Sequence, residues 1–386
     1  MTVLSCDIGI LAPFQPQKDK PLGQQTSFIS GCLKEAKDLG CKPAIFNPIS
    51  IMERPDPPFT GYYLASGKWC AGQFECPQII YDRHYSTVGG FEKSIEQVKD
   101  YLAEDLKSIF INPLEFSRLA TCKTTCSGKI IQYGFRTPGV LAERLISSKI
   151  LNECLEKVSS IVVKPIYGRM GKGILRVRRA VHGYQVEDGI QKVSVSSADE
   201  VYGIISMHAK ILEMETDYFF VQENIDIYQN KRRWFDVRCL VQRTNFAKPH
   251  VVGTAVRVSA TGGNVPNIDK GGLAMDPIEW FGNLKKEERP DQILKSIEAT
   301  ALGIYQAFEN EFGFIGEAGI DILADLTGKL WIIEVNVKPG RLVFQRLGSG
   351  FGLTETVKQQ YRDKRKEAIR NPMIYAKCVL DERTEI

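Results

Sequence analysis

The chain has 386 residues, of which 43% are hydrophobic and 25% are charged. This composition excludes a disordered, collagen-like or coiled-coil protein and provides apolar side chains for one large core or several smaller ones. The 50 Lys and Arg residues against 46 Asp and Glu residues leave a net charge of +4, which argues against nucleic acid as the main partner.

Cysteine and histidine are not arranged as zinc ligands. The ten cysteines form no Cys-x-x-Cys pair, and none of the four histidines lies at ligand spacing from a cysteine. We therefore expect free thiols in a reducing cytoplasm. The N-terminus lacks a basic segment and no apolar run approaches about 18 residues, so we expect no membrane partner and a cytoplasmic location.

The patterns of residues 1–115 predict a parallel α/β domain. Residues 3–11 and 43–46 have strand patterns, and between them apolar residues recur on one face of a helix. No Gly-x-Gly-x-x-Gly motif occurs, which argues against a dinucleotide site. A later strand ends at Asp82 and Arg83, which either bind a ligand at the sheet edge or form an ion pair that caps a loop.

From Asn112 the sequence changes to short strands rich in Val and Ile, separated by glycine turns and helices. This mixture predicts a two-lobed α+β domain with lobes over 116–225 and 226–350, followed by a basic C-terminal helix and tail over 351–386. The predicted helices are 141–157, 201–213, 291–312 and 353–370.

Two apolar strands that flank an Asp-Leu-Thr-Gly turn carry the strongest local signal. The hairpin pairs Leu323 with Ile332 and places Asp321 opposite Glu334, with Cβ atoms about 5 Å apart. Asn336 lies on the same face as Glu334. Facing carboxylates repel unless one is protonated or a cation lies between them, and these oxygen ligands suit Mg²⁺ bound to substrate phosphates. A structural pair or a capped loop is the alternative.

A strand that ends near Lys164 is followed by a glycine loop and a second strand. Gly168, Gly171 and Gly173 leave backbone N–H groups accessible to phosphates because no Cβ intervenes. Lys172 does not complete a Walker A motif, since a glycine and a strand follow it. We interpret the loop as a phosphate-binding flap, with a plain glycine hairpin as the alternative.

Other polar groups lie on strands that follow the flap. Residues 222–225 end an apolar strand, where backbone groups and an apolar slot could receive an adenine ring, although an ordinary strand end has the same pattern. Asp236 and Arg238 share one strand face, and Arg257 lies on the next strand. Such arginines suit bidentate binding of phosphate or carboxylate, or surface ion pairs.

The order of these motifs resembles the ATP-grasp superfamily over about residues 112–341. The shared features are Lys164-Pro165 before the flap, Gln222-Glu223-Asn224-Ile225, Asp236-x-Arg238, Arg257, a loop with Asn264 and Asn267, and Asp321 followed by Glu334-x-Asn336. The segments Ile80-Tyr81-Asp82-Arg83 and Glu334-Val335-Asn336-Val337-Lys338-Pro339-Gly340-Arg341 resemble the YheC/YheD-type, endospore coat-associated branch.

The resemblance implies nucleotide and metal ligands. Lys164 would hold phosphate oxygens beneath a flap of Tyr167, Gly168, Gly171, Lys172 and Gly173, and either Lys123 or Lys129 would be a second nucleotide lysine. Gln222, Glu223, Asn224 and Ile225 would bind adenine, Asp236 a ribose hydroxyl, and Asp321, Glu334 and Asn336 Mg²⁺.

The resemblance also implies catalytic residues. Arg257 would stabilise the transferring phosphoryl group and the acyl phosphate. Arg238, Lys338 and Arg341 would bind the acceptor carboxylate, unless Lys338 and Arg341 only fix the loop after their strand.

The activity that follows from the resemblance is an ATP- and Mg²⁺-dependent carboxylate-amine ligase. A peptide or amino-acid carboxylate would receive the γ-phosphoryl group, and an amine would attack the acyl phosphate, during spore formation in the mother cell or at the spore coat. Spore coat proteins are the expected protein partners. The alternatives are a nucleotide-binding coat assembly or scaffold protein without turnover, docked through the basic helix, and a kinase on the same fold.

Overall fold

Three β-sheets organise the protein, each built from one stretch of sequence. The computed structural model describes residues 2–85, 92–168, 171–189, 191–226, 234–260, 266, 268, 271–283, 289–350 and 352–384. Asn264 and Asn267 of the predicted loop, and residues 169–170 of the predicted flap, lie outside the described residues.

The first sheet has seven strands: β1 (Val3–Leu4), β2 (Ile8–Leu11), β3 (Pro43–Phe46), β4 (Phe59–Ala65), β5 (Lys68–Phe74), β6 (Ile79–Asp82) and β7 (Ile109–Phe110). In the order β1-β5-β4-β3-β2-β6-β7, the strands β3, β2, β6 and β7 are parallel, but β4 is antiparallel to β3 and β5. The sheet is therefore mixed: the predicted parallel pairing holds for β3, β2, β6 and β7, but not for β4 and its neighbours. The additional hairpin turns at Ser66 and Gly67, whose φ angles of 49° and 77° suit a two-residue turn.

The second and third sheets are antiparallel, and their strand order places the candidate site. The second comprises β8 (Val140–Ala142), β9 (Ser160–Pro165), β10 (Leu175–Arg179), β11 (Tyr184–Glu187), β12 (Lys192–Val195) and β13 (Phe219–Glu223), in the order β12-β11-β10-β9-β13-β8. The third comprises β14 (Phe235–Gln242), β15 (His250–Val258), β16 (Leu273–Met275), β17 (Glu317–Ala324) and β18 (Leu330–Asn336), in the order β16-β15-β14-β17-β18.

Eleven α-helices lie within the described residues: α1 (Thr26–Asp38), α2 (Pro48–Glu53), α3 (Glu92–Asp100), α4 (Leu114–Thr121), α5 (Lys123–Gln132), α6 (Ser148–Lys157), α7 (Ala198–Ile211), α8 (Pro277–Gly282), α9 (Pro290–Phe312), α10 (Leu342–Gly348) and α11 (Glu355–Thr384). The helix predicted over 141–157 was wrong at its start, because 140–142 pair as a strand and Ser147 caps α6 through the Ile150 N–H at 3.4 Å. None of the described helices is long and apolar enough to cross a membrane.

The C-terminal helix α11 joins two cores. Its first half covers β14 and β15 together with α10, and its second half contributes Met373, Ala376 and Leu380 to the core of the first sheet. Pro372 lies inside the helix and cannot donate to the Ala368 carbonyl. Gln242 and Arg341 donate to that carbonyl instead, at 3.0 and 3.3 Å, so side chains replace the lost backbone hydrogen bond.

Candidate nucleotide and metal site

One cleft of about 2510 Å³ is lined by strands of the second and third sheets and by loops and helices beside the first sheet. The predicted nucleotide, metal and catalytic residues line this cleft, except Gly173 and the alternative nucleotide lysine, Lys129. The second sheet contributes two cations and one carboxylate to it, Lys164, Arg176 and Glu223, and the third sheet contributes carboxylates and arginines. Both walls of the cleft therefore carry charges of both signs.

Strand alternation turns Lys164 toward the cleft. Ile161 and Val163 of β9 pack into the apolar core of the second sheet, whereas Val162 and Lys164 line the cleft. The Lys164 ammonium lies 5.3 Å from the centre of the Phe220 ring, on the neighbouring strand. Burial, followed by the charge of Lys123, lowers the pKa of Lys164 to about 7.

The structure separates the two alternative nucleotide lysines. Lys123, the first residue of α5, donates from Nζ to the Gly168 carbonyl at 2.7 Å and lines the cleft beneath the flap. Lys129 forms an ion pair with Glu311 at 2.5 Å and is not among the cleft-lining residues. The geometry therefore favours Lys123.

The described part of the flap requires glycine at two positions. Gly171 and Gly173 have φ angles of 64° and 72°, in the left-handed region. A Cβ on Gly173 would also lie 2.7 Å from the Leu212 Cδ1 atom and 3.0 Å from Pro165 Cγ. Tyr167 and Lys172 of the flap are exposed at its surface and line the cleft.

Arg176 of β10 is a cleft residue that the sequence analysis missed. Its guanidinium lies 3.4 Å from the Trp234 ring centre and donates to Asn224 Oδ1. Burial is the main cause that lowers the pKa of Arg176 to about 9. The period-two pattern of Leu175 and Val177, both buried in the core, could have indicated that Arg176 points the opposite way, toward the cleft.

The predicted adenine segment lies where β13 leaves the second sheet. Gln222 is buried and donates to the Pro138 carbonyl at 2.8 Å. The Glu223 and Asn224 N–H groups donate to Gly139 and Ser160 at 2.8 and 3.3 Å. The Ile225 N–H has no backbone partner among the described residues and is therefore a candidate donor to a ligand.

A row of charges crosses the third sheet. Asp236 pairs in register with Arg257, Arg238 with Asp321, and Asp321 with Glu334. Both Asp236 oxygens accept from Arg257, at 2.7 and 2.6 Å. Asp321 accepts from Nε and Nη2 of Arg238, from Arg257 at 2.8 Å and from the Asn336 amide at 3.2 Å.

Burial and pairing act in opposite directions on these carboxyls. Burial, together with the charge of Asp321, raises the pKa of Asp236 to about 6 despite its pairing with Arg257. Burial also opposes ionisation of Asp321, but Arg238 and Arg257 outweigh it and lower the pKa of that carboxyl. Asp321 therefore stays ionised to lower pH than Asp236 does.

The predicted hairpin register is correct at the charged pair and wrong at the tip. Asp321 faces Glu334, but Leu323 faces Trp331 and not Ile332. A bulge between the two positions adds one residue to β18. At the tip, Asp325 accepts from the Trp331 indole at 2.9 Å, which fixes the shifted turn.

The donor set of this hairpin fits Mg²⁺ through two carboxylates and an amide. Glu334 is half-buried and lines the cleft, and no described residue pairs with it, whereas Asp321 already binds two arginines. Within the described ranges no group of three or more His, Cys, Asp or Glu side chains stands together as a metal cluster. Glu334 is thus the ligand most accessible to a cation.

Arg83, Lys338 and Arg341 belong to a buried network beside the cleft. Glu317 binds Arg341 and lies 3.4 Å from Arg83 Nη1, while Lys338 binds Asp82 at 2.6 Å. These contacts join β6 of the first sheet to β17 and the loop after β18. They favour the alternative in which Lys338 and Arg341 fix the loop. Asp82 and Arg83 do not form the expected local ion pair, because Asp82 pairs with Lys338 and Arg83 with Glu317.

The fold and cleft define a class of protein. The structure superposes on the D-cycloserine synthetase DcsG with a TM-score of 0.52 at 12% identity, over 94% of this chain and 99% of that chain. It superposes on the D-alanine-D-alanine ligase from Coxiella burnetii with a TM-score of 0.52 at 12% identity, over 98% and 97% of the two chains. The chain has the ATP-grasp fold over nearly its full length, as the resemblance implied.

The sequence places the chain within that class. Residues 140–379, more than half of the chain, match the family described as YheC/D like ATP-grasp, and the protein belongs to this family. It is 22% identical over 313 residues to the endospore coat-associated protein YheC of Bacillus subtilis (strain 168), which covers 80% of this chain and 83% of YheC. The predicted superfamily and branch are both confirmed.

Proposed function

We propose that the protein is an ATP-dependent carboxylate-amine ligase that works through an acyl phosphate. The observation that carries this proposal is the meeting of Lys123 and Lys164 with Asp321 and Glu334 in one cleft. Two cations can neutralise a polyphosphate, and two carboxylates can hold its metal ion. The ligases among the structural relatives support the same chemistry.

The second sheet would bind the nucleotide. Lys164 and Lys123 would contact phosphate oxygens, and Arg176 would add a third cation beside Asn224. The Ile225 N–H would bind adenine next to the strand end that the Glu223 and Asn224 N–H groups fix. Tyr167 and Lys172 would close over the phosphates with the glycines of the flap.

The third sheet would hold the metal and the reacting groups. Mg²⁺ would neutralise the phosphate charge when bound to Glu334, Asp321 and Asn336. Arg257 would stabilise the transferring phosphoryl group, and Asp236, bound to it through both oxygens, would position it. Arg238 would face the acceptor carboxylate from beside Asp321.

The proposed reaction has two steps, phosphoryl transfer to the acceptor carboxylate and attack by the amine. A carboxylate oxygen of the acceptor bonds to the γ-phosphorus as the bond to the β-phosphate oxygen breaks, which releases ADP. An amine then forms a bond to the acyl carbon, phosphate departs with the oxygen it bridged, and the amine loses a proton. The chain supplies no nucleophile of its own.

The test measures ADP and phosphate formed from Mg-ATP with pools of amino acids and peptides. Asp321→Asn should reduce substrate-dependent ADP formation about 100-fold or more, as loss of a charge-stabilising group does. Lys129→Gln, which alters a lysine outside the cleft, is the matched control. ADP and phosphate formed at the same rate with and without an added carboxylate would contradict the proposed ligase function.

The second candidate is a coat assembly protein that binds nucleotide without turnover. The pairing of Asp321 with two arginines favours it, because this arrangement needs no metal to be satisfied. Deletion of α11 cannot test this candidate, since its second half lies in the core of the first sheet. Nucleotide binding with no amide product for any acceptor would support it, and a stable phosphate ester would support a kinase.

A further inference from the structure

The end of the cleft lined by residues 20–28, 342–346 and 365–369 is cationic. Lys20, Arg346 on α10 and Arg365 on α11 line it. The residues that line the cleft from 20–28, 342–346 and 365–369 include no carboxylate. The carboxylates that line the described cleft lie on other elements, so this end has an excess of positive charge.

Cations near Arg365 on α11 form ion pairs with carboxylates, whereas Arg346 and Arg365 form none with a described residue. On the same helix, Arg362 binds Glu355, Lys366 lies 3.3 Å from Asp363, and Arg370 lies 3.5 Å from Glu35. Arg365 donates to the Ser27 hydroxyl at 3.3 Å and has no ion pair with a described residue. No ion pair joins Arg346 to the described part of the chain either.

This end lies on the acceptor side of the proposed reaction. Strand β18, which carries Glu334 and Asn336, leads through a short turn into α10 and Arg346. The cations first assigned to the acceptor already bind carboxylates: Arg238 binds Asp321, Lys338 binds Asp82, and Arg341 binds Glu317. Arg346 and Arg365 are cations here that pair with no carboxylate of the described residues.

The size of the cleft indicates a large occupant. Its volume of about 2510 Å³ is more than twice the roughly 300–1,000 Å³ of a typical small-molecule site. A nucleotide and a free amino acid would leave much of it empty. An extended peptide would reach from the metal strand to α11.

We propose that this end of the cleft binds an acidic peptide segment, whose carboxylates pair with Arg346, Arg365 and Lys20. The proposal rests on the proposed ligase function and specifies its acceptor as a peptide with several carboxylates. Charge pairs at an exposed surface are screened by salt, so binding should weaken steeply as the salt concentration rises.

The experiment measures the anisotropy of a fluorescein-labelled hexaglutamate peptide with the full chain at low salt. Arg346→Gln with Arg365→Gln should weaken binding about tenfold or more, and hexaglutamine should bind at least tenfold more weakly than hexaglutamate. Arg370→Gln, compared with Arg365→Gln alone, is the matched control, because each removes one arginine charge from α11 and Arg370 lies outside the cleft lining. It should leave the affinity within about twofold.

Three outcomes would overturn the proposal: equal binding of hexaglutamine, an equal loss in Arg370→Gln, or a loss in Lys164→Met as large as in the double variant. The last would place the peptide at the phosphate end. Mg-ATP binding is measured separately by calorimetry. Peptide binding without Mg-ATP binding would refute the ligase alone, and Mg-ATP binding without hexaglutamate binding would refute the acidic acceptor alone.

Discussion

The folded protein disfavours the charged form of Lys164. Burial and the neighbouring Lys123 lower its pKa to about 7, far below that of a free lysine. Bound phosphate would favour the charged form and raise the pKa again. Nucleotide binding and protonation of Lys164 should therefore be coupled.

Because of this coupling, the affinity for ATP should depend on pH, and it should fall as the pH rises above 7. Below pH 7 Lys164 is protonated with or without ligand, so ATP affinity should not depend on its titration. Above pH 7 the free protein must take up a proton to bind, and Kd should rise, by at most about tenfold per pH unit. Calorimetry at pH 8 in buffers of different ionisation enthalpy measures the proton uptake.

Two variants complete that measurement. Lys164→Met should abolish most of the proton uptake, whereas Lys129→Met should retain it, because Lys129 pairs with Glu311 outside the cleft lining. Equal uptake by Lys164→Met and the native protein would show that another group titrates.

Two roles are open to Asp236: it can bind a ribose hydroxyl or it can position Arg257. The resemblance implies a ribose contact, but both oxygens of Asp236 are bound to Arg257. If Asp236 positions Arg257, Asp236→Asn should leave the affinity ratio of ATP to 2′-deoxy- and 3′-deoxy-ATP within about twofold of native while lowering ADP formation about tenfold. A collapse of that ratio toward one would restore the ribose role.

At the scale of elements, the flap depends on a close approach of its turn to α7. Gly173→Ala would add a Cβ 2.7 Å from Leu212 at a φ of 72°. We expect a loss of about 1–3 kcal/mol in unfolding free energy and weaker ATP binding. Gly203→Ala, on the exposed face of α7 with nothing near its Cβ, should instead stabilise by about 0.5–1 kcal/mol. Urea unfolding and ATP titration distinguish them.

The buried network at the proline of α11 gives Arg341 a structural role. Arg341 binds Glu317 and donates to the carbonyl that Pro372 leaves open. Arg341→Met should cost about 3–5 kcal/mol in unfolding free energy because it leaves buried polar groups unpaired. Arg346→Met, at an exposed position of α10, should change it by less than about 0.5 kcal/mol. Chemical denaturation tests both, and a stable, inactive Arg341→Met would favour the acceptor role.

Sequence patterns predicted elements whose spacing is regular and failed where one residue changes the register. The pair Asp321 and Glu334 followed from strand alternation, but the bulge beside it did not, because one added residue leaves the apolar pattern of both strands intact. The pairing of Asp236 with Arg257 could not be predicted from the sequence either, because it depends on the register between β14 and β15. The alternation of β10 does place Arg176 on the side away from the core. It was not predicted as a site residue because a basic residue at such a position usually faces solvent.

The whole molecule consists of a firmly joined part and a more independent lobe. Glu317, Arg83 and Arg341 fasten the first sheet to the third, and α11 packs against both. The apolar core of the second sheet is drawn from residues 145–221. Contacts such as Arg176 on Trp234 and Lys123 on Gly168 connect this lobe to the rest of the cleft.

This division predicts how the amide hydrogens exchange. The strands β9, β10 and β13 should exchange faster than β6, β14 and β17, because the second lobe can open while the buried network stays closed. Mg-ATP at a hundred times its Kd should slow exchange of β9, β10 and residues 222–225 about 100-fold, since it binds both walls of the cleft, and should leave β6 nearly unchanged. Hydrogen-exchange mass spectrometry measures both, with Lys164→Met as the control that should lose the protection. Uniform slowing in all three sheets would mean that the molecule opens as one body.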